Sequence, residues 1–259
     1  MRKKVGIALS GGGGRGFAHI GALKVLIENN VPIDLISGTS AGSIVGAAIA
    51  AGVSPKELEG LAAKLRYSMV VAPTVSRYGL LSNYRLGKFV RNEFGVADFR
   101  DLKIPLFVTA YDLIKNEGVI LSSGDVAKAV RASSAVPRLF TPVRIDGKML
   151  IDGGTFSPLP AKTAREMGAD IVIGVDLTAC GATFPKPPRS SLGILVRSSL
   201  SILKTASTGQ HIDADVVISP EVAEFSMFNI SSFRDVIERG EAAARGQLGA
   251  IKALLADAD

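Results

Sequence analysis

The sequence predicts an α/β fold in which a mainly parallel sheet is covered by helices, and three observations carry that expectation. Short β-branched or aliphatic runs alternate along the chain with longer amphipathic stretches. Several of the 28 glycines fall where predicted helices must approach strands or where loops must wrap around a ligand. The 259 residues are 47% hydrophobic and only 6% aromatic, which suits one large aliphatic core. With no internal repeat and no linker, residues 1–259 are expected to form a single domain.

The elements follow in order. A first strand is expected over Lys4 to Leu9, then a glycine loop, a helix over Phe17 to Glu28 and a second strand over Ile33 to Ser37. Helices start from Ser40 and from Pro55, and another covers Tyr84 to Phe94. Strands at Leu106 to Tyr111 and Val119 to Leu121 precede a helix beginning near Asp125. The strands Val143 to Ile145 and Met149 to Ile151 flank Asp146-Gly147, a dipeptide suited to the positive φ angles of a two-residue hairpin turn. A helix near Leu159 to Met167 leads to a strand at Ile171 to Asp176. The prolines at 185, 187 and 188 make Gly181 to Ser191 an exposed loop or lid. A helix at Leu192 to Thr208, a strand at Val216 to Ser219 and a helix at Phe233 to Leu255 complete the chain.

Composition removes several function classes. The net charge of +6 is spread among interleaved acids, with no arginine-and-aromatic stacking pattern or zinc-finger spacing, so nucleic acid is set aside as a partner. A single cysteine, Cys180, excludes an internal disulfide framework and a cysteine-cluster metal site. The apolar run Val5 to Leu9 is too short for a signal-peptide core, and no uncharged stretch approaches the roughly 20 residues that span a bilayer. The expected location is the cytoplasm, with any membrane contact peripheral.

Three motifs carry the chemistry. Gly38-Thr39-Ser40-Ala41-Gly42 fits the nucleophile-elbow pattern G-x-S-x-G between a strand and a helix rich in small residues, which would expose the Ser40 hydroxyl above a helix amino terminus. A capping serine in an ordinary strand-to-helix turn is the alternative for that motif taken alone. Gly11-Gly12-Gly13-Gly14-Arg15-Gly16 follows the first strand and offers backbone N–H groups to an anion. Its G-x-G-x-x-G spacing also suits a dinucleotide, but the elbow occupies the end of the second strand, where the ribose-binding acid would stand. An oxyanion hole is therefore the preferred reading. Asp152-Gly153-Gly154 ends the hairpin strand and places a carboxylate where it can act as a base, or else forms a simple Asp-Gly turn.

Jointly and in this order, these motifs resemble the patatin-like phospholipase family, in particular its compact bacterial members and the catalytic domain of neuropathy target esterase. The resemblance runs through Leu9-Ser10-Gly11-Gly12-Gly13 and His19-Ile20-Gly21, the elbow, Ser133-Ser134-Ala135-Val136-Pro137, Ile151-Asp152-Gly153-Gly154 and Gly168-Ala169-Asp170. It implies a three-layer α/β/α fold and hydrolysis of acyl esters of phospholipids or lysophospholipids. It implies a Ser-Asp dyad at Ser40 and Asp152 with no metal and no cofactor. Gly11, Gly12, Gly13 and Gly14 map onto the family's oxyanion hole, and Arg15 onto a basic position that orients the loop or meets a phosphate. Two positions depart from the pattern: Arg138 stands where glycine is frequent and Ser157 where asparagine often precedes Pro158.

Competing readings remain. A Ser-Asp-His triad would draw on Asp176 and His211, although His211 precedes a strand instead of following one, and His19 is expected to be a packed core histidine. A catalytically weak member would bind acyl lipids or a protein partner in the same cleft. Met69 to Val71, Leu80-Leu81 and Phe225 to Phe228 are candidate walls of an acyl channel.

Overall fold

The chain enters on β1 (Val5–Leu9), whose five residues are all buried, as a strand covered on both faces must be. A 3-10 turn over Gly13–Gly16 leads into α1 (Phe17–Glu28), followed by β2 (Leu35–Gly38), α2 (Ala41–Ala51) and α3 (Pro55–Lys64). The structure, a computed structural model, describes residues 2–184 and 186–256. Met1, Pro185 of the expected lid and residues 257–259 of the expected domain lie outside the described residues.

Next come α4 (Tyr67–Val70), β3 (Ala72–Pro73), β4 (Gly79–Ser82), α5 (Tyr84–Phe94), β5 (Leu106–Asp112), β6 (Glu117–Leu121), α6 (Val126–Ser133) and β7 (Arg138–Phe140). The chain finishes with β8 (Val143–Ile145), β9 (Lys148–Asp152), α7 (Ala161–Glu166), β10 (Ile171–Val175), α8 (Ser191–Gly209), β11 (Val216–Ile218) and α9 (Phe233–Ala256). Local chemistry sets several boundaries. Ser54 and Glu57 form a reciprocal capping box with Pro55 in the first turn of α3, and the Asp125 side chain accepts from Lys128 N to start α6. The β8–β9 turn carries Asp146 at φ 46° and Gly147 at φ 77°, as the dipeptide predicts.

Strands β11, β10, β1, β2 and β5 run parallel in that spatial order, and β6, β8 and β9 extend the sheet with antiparallel pairings. Helices cover both faces. One face packs against α1, α2, α5, α6 and α9, and the other against α7, where Leu159, Ala161, Ala164 and Ala169 meet Ala8, Leu35 and Val172. This is the three-layer arrangement expected.

The pairing around β5 positions the site. Val108 pairs with both Gly38 and Leu121, and Ala110 with both Asp152 and Val119, so β6 takes one edge of β5. Strands β2 and β9 share the other edge end to end and run toward each other. Their terminal residues, Gly38 and Asp152, sit two places apart along β5.

Three expectations needed correction. The second strand starts at Leu35 and runs on to Gly38, while the helix expected from Leu159 begins at Ala161, since Leu159 N is bonded to the Gln210 side chain. Helix α2 begins after Ser40, whose backbone is not helical. The small sheet β3-β4-β7 was not anticipated, because strands of two to four residues are too short to display an alternating pattern.

Helices α1 and α9 touch backbone to backbone at Gly21 and Gly240. A Cβ at Gly21 would lie 2.0 Å from Ile237 O, and one at Gly240 2.0 Å from Ala18 O. Gly21→Ala and Gly240→Ala are each expected to cost about 1–3 kcal/mol in urea unfolding by forcing the helices apart. Gly246→Ala, on the same α9 but with open space around it, should instead gain about 0.5–1 kcal/mol from helix propensity.

Candidate active site

Ser40 sits at the turn from β2 to α2 with φ 50° and ψ −118°, a conformation a non-glycine residue holds only when its surroundings enforce it. The enforcement is visible bond by bond. Thr39 N donates to Leu9 O at 3.0 Å, Gly42 N to Thr39 O at 2.8 Å and Ser43 N to Ser40 O at 2.9 Å. Ser40 N donates to Ser133 Oγ at 2.8 Å, and the Thr39 hydroxyl engages Thr109 Oγ1 and Ser157 O, each at 2.7 Å. The two elbow glycines are needed sterically, since a Cβ at Gly42 would lie 2.2 Å from Leu9 O and one at Gly38 2.8 Å from Gly42 O.

Asp152 ends β9 and faces this turn. Its N–H donates to Ala135 O at 3.0 Å, and its Oδ1 accepts from Gly154 N at 2.8 Å. The other oxygen, Oδ2, is buried without a hydrogen-bond partner. Burial, the largest influence, pushes the carboxyl up to about 6, against the opposing pull of Gly154 N–H and the nearby Ser40 hydroxyl. The serine is thus close enough to favour the carboxylate, while the bond to Oδ2 is left open. The Asp-Gly turn is present as well, with Oδ1 capping the short 3-10 turn Gly153–Thr155, and it leaves Oδ2 outside that cap.

The glycine loop divides its donors. Gly11 N is bonded to Pro158 O at 3.0 Å and Gly14 N to Met227 O at 2.7 Å, which removes both from service to an anion. Among the described residues, Gly12 N and Gly13 N have no acceptor, and neither does Ala41 N in the first turn of α2. Gly11 lies against the Ser40 turn, with a Cβ position 3.6 Å from Ser40 Cβ.

Of the two roles expected for Arg15, orienting the loop or meeting a phosphate, the second needs correction: the side chain is buried, and its guanidinium donates to Phe225 O at 2.8 Å, Gly181 O at 2.6 Å and Ala223 O at 3.0 Å. All its donor-bearing nitrogens are used on main-chain carbonyls, so it ties the loop to two distant segments and has no reach toward a ligand.

Neither histidine is hydrogen-bonded to Ser40. His19 is fully buried, shares a 2.8 Å hydrogen bond with Ser10 O, and is driven by burial down to about 4, which keeps it neutral. His211 Nε2 lies 2.7 Å from Asp176 Oδ2, which also accepts from Ser207 Oγ at 2.6 Å. That pair follows β10, and β1 separates β10 from β2. Burial opposes the Asp176 charge, but the bonds from Ser207, His211 and Thr178 outweigh it and hold the carboxyl below its ordinary value.

An apolar cavity of about 260 Å³ begins at Gly13, Ser40 and Ala41 and is walled by Phe17, Ile20, Ile44, Leu58, Leu86 and Phe89. Of the predicted channel segments, Val70, Val71, Met227 and Phe228 contribute, whereas Met69, Leu80, Leu81 and Phe225 do not. Sequence reasoning did not assign roles to Ser133, which holds Ser40 N, to Ser134, whose buried hydroxyl is unpartnered and lines the cavity, or to Ala41 N. The elbow pattern carried a signal for Ala41, since the residue after the nucleophile commonly supplies an oxyanion donor. Arg138 has φ 67°, which is why glycine suits its position, and Ser157 is tied in by Gln210 Nε2.

Two comparisons of sequence and one of structure bear on this arrangement. The family model described as patatin-like phospholipase matches residues 7–165. An uncharacterized NTE family protein of Mycobacterium tuberculosis is 32% identical over 81% of this chain and 60% of its own length. Lysophospholipase NTE1 of Pyricularia oryzae is 32% identical over 71% of this chain and 13% of its own length. The chain therefore spans less than two thirds of the length of either relative. VipD from Legionella pneumophila has a similar fold, with a TM-score of 0.56 at 15% identity over 100% of this chain and 67% of that one.

Two outcomes follow from the geometry. Because Asp152 keeps its proton to about pH 6 when folded but only to about 3.9 when unfolded, the unfolded state binds fewer protons between those values and stability falls as pH rises through them. Ionising this buried group costs about 3 kcal/mol, so Asp152→Asn should be more stable than the parent at pH 7 and lose the pH-dependence between 4 and 6, measured by urea unfolding. Arg15→Lys cannot span three carbonyls and should lose about 1–3 kcal/mol with KM unchanged. A raised KM at undiminished stability would return Arg15 to the substrate.

Proposed function

The chain belongs to the patatin-like phospholipase family, and on that premise we propose that residues 1–259 act as one domain hydrolysing acyl esters of single-chain phospholipids. Ser40 attacks the acyl carbonyl while Asp152 takes its proton on Oδ2, the oxygen left without a partner. The alkoxide of the tetrahedral intermediate is received by the N–H groups of Gly12, Gly13 and Ala41, which have no other acceptor. Asp152 returns the proton to the leaving alcohol, and a water hydrolyses the acyl-enzyme by the same path. None of these steps calls for a metal or cofactor.

The observation that carries the reading is the approach of β2 and β9 along one edge of β5, which brings a strained serine and a buried carboxylate of raised pKa to one point beside an apolar cavity. The cavity volume supports one acyl chain, being just below the range of about 300–1,000 Å³ usual for ligand pockets. The lysophospholipase name of the fungal relatives leans the same way. The Asp176–His211 pair lies beyond β1 and is assigned a structural part.

Fluorophosphonate labelling, with the adduct located by peptide mass spectrometry, is expected to modify Ser40 and to fail in Ser40→Ala. Asp152→Asn should lower kcat/KM by about 10³-fold or more, whereas His211→Ala should stay within about threefold of the parent. The rising limb of kcat/KM against pH should have an apparent pKa near 6, reporting Asp152 ionisation. Absence of an adduct in folded protein with detergent present would turn the reading toward a protein that binds acyl lipids or a partner without hydrolysing them.

A further inference from the structure

Helix α8 is the least covered of the long helices on its outer side. Its inner side meets the body through half-buried Leu203 and buried Ser207, which donates to Asp176. The outer side shows Ile194 at 57%, Leu195 at 57% and Ile202 at 69% exposure, spaced so that the three lie on one face of the helix. The other outward positions of the helix, among them Ser191, Ser198 and Thr205, are uncharged. Arg197 and Lys204 stand together on one flank, and Phe184, 41% exposed, lies beneath the Arg197 guanidinium at 4.3 Å.

Charge makes the helix more informative than exposure does. From Leu177 to Ile212 the sequence contains no aspartate or glutamate, yet it carries Lys186, Arg189, Arg197 and Lys204. Such a run is unexpected in a chain with 24 acids among 259 residues. An apolar face with a cationic flank and no acids fits the boundary of an anionic bilayer, where aliphatic side chains enter the acyl region and lysine and arginine reach the headgroups. A second copy of this chain fits less well, because a self-complementary contact would set the same cations against each other.

Position ties the inner side of the same helix to the cleft. Leu203 Cδ2 lies 3.4 Å from where a Cβ on Gly154 would sit, and Gly154 N is the donor that holds Asp152 Oδ1. No helix among the described residues, α8 included, is long and apolar enough to cross a membrane.

We propose that α8 is a membrane-docking helix that seats the protein on anionic phospholipid through Ile194, Leu195 and Ile202, flanked by Arg197 and Lys204. Its use in substrate delivery rests on the lipid-esterase reading, but the docking itself is separable from it. Docking is measured in the Ser40→Ala protein, which leaves the lipid intact, by co-sedimentation with vesicles of phosphatidylcholine alone or containing phosphatidylglycerol. Binding is expected to the anionic vesicles and to weaken with salt. Adding I194S/L195S/I202S should reduce it on the order of tenfold or more, while the same triple change in the protein with Ser40 intact leaves turnover of soluble 4-nitrophenyl butyrate unchanged. R197Q/K204Q, which leaves the aliphatic face alone, should lose the preference for anionic vesicles. Undiminished vesicle binding by the triple variant would overturn the proposal, as would no binding by the Ser40→Ala protein. A dimer in sedimentation velocity that the triple change dissociates, with vesicle affinity unmoved, would assign the face to self-association instead. Failure of the esterase reading shows separately, as vesicle binding without butyrate turnover by the parent.

Discussion

The site depends on the edge of β5 that β2 and β9 occupy from opposite ends. A parallel strand and an antiparallel strand arriving on one edge must stop short of each other, and the gap between Gly38 and Asp152 is where the Ser40 turn and the Asp152 carboxylate meet. The rest of the sheet serves this meeting. Strand β1 supplies Leu9 O to hold Thr39 N, and β5 supplies Thr109 Oγ1 to hold the Thr39 hydroxyl. Gly153 can follow Asp152 only because it lacks a side chain, since a Cβ there would lie 2.2 Å from Thr109 Oγ1.

The same packing that brings these groups together makes them costly to keep. Ser40 is held at a φ that costs about 1–3 kcal/mol, and Asp152 is held where its charge is poorly solvated. Neither would persist without the large aliphatic core and the bonds around the turn. Ser133, reaching from the end of α6, matters here because it supplies the acceptor for Ser40 N in a part-buried turn. Arg15 has a related part at longer range, joining the glycine loop to the segments at Gly181 and at Ala223 to Phe225. Loop donors can be pre-oriented for an anion only if the loop itself cannot move.

Much of this was legible in the sequence. The strand-to-helix elbow, the Asp146-Gly147 hairpin, the boundaries of α1 and α5 and the parallel core all rest on local rules: periodicity, capping and the chemistry of turns. The motifs further resembled a family whose fold and membership the structure and the comparisons bear out. What local rules could not supply was which N–H groups stay unspent. Gly11 and Gly14 look equivalent to Gly12 and Gly13 in the sequence, but Pro158 O and Met227 O, both remote along the chain, claim the first pair. Which of its two expected roles Arg15 takes was hidden for the same reason, its three acceptors lying 166 to 210 residues away.

The sequence by itself determined the class of fold, the order of the central-sheet strands and the long helices, and the residue types that stand at the strand ends, because these follow from interactions within a few residues. Only the tertiary structure decided that Ser40 and Asp152 face each other, that His211 turns to Asp176, and that the outer face of α8 is left uncovered. Those outcomes turn on strand register and on long-range competition for hydrogen bonds, and a chain has neither until it has folded.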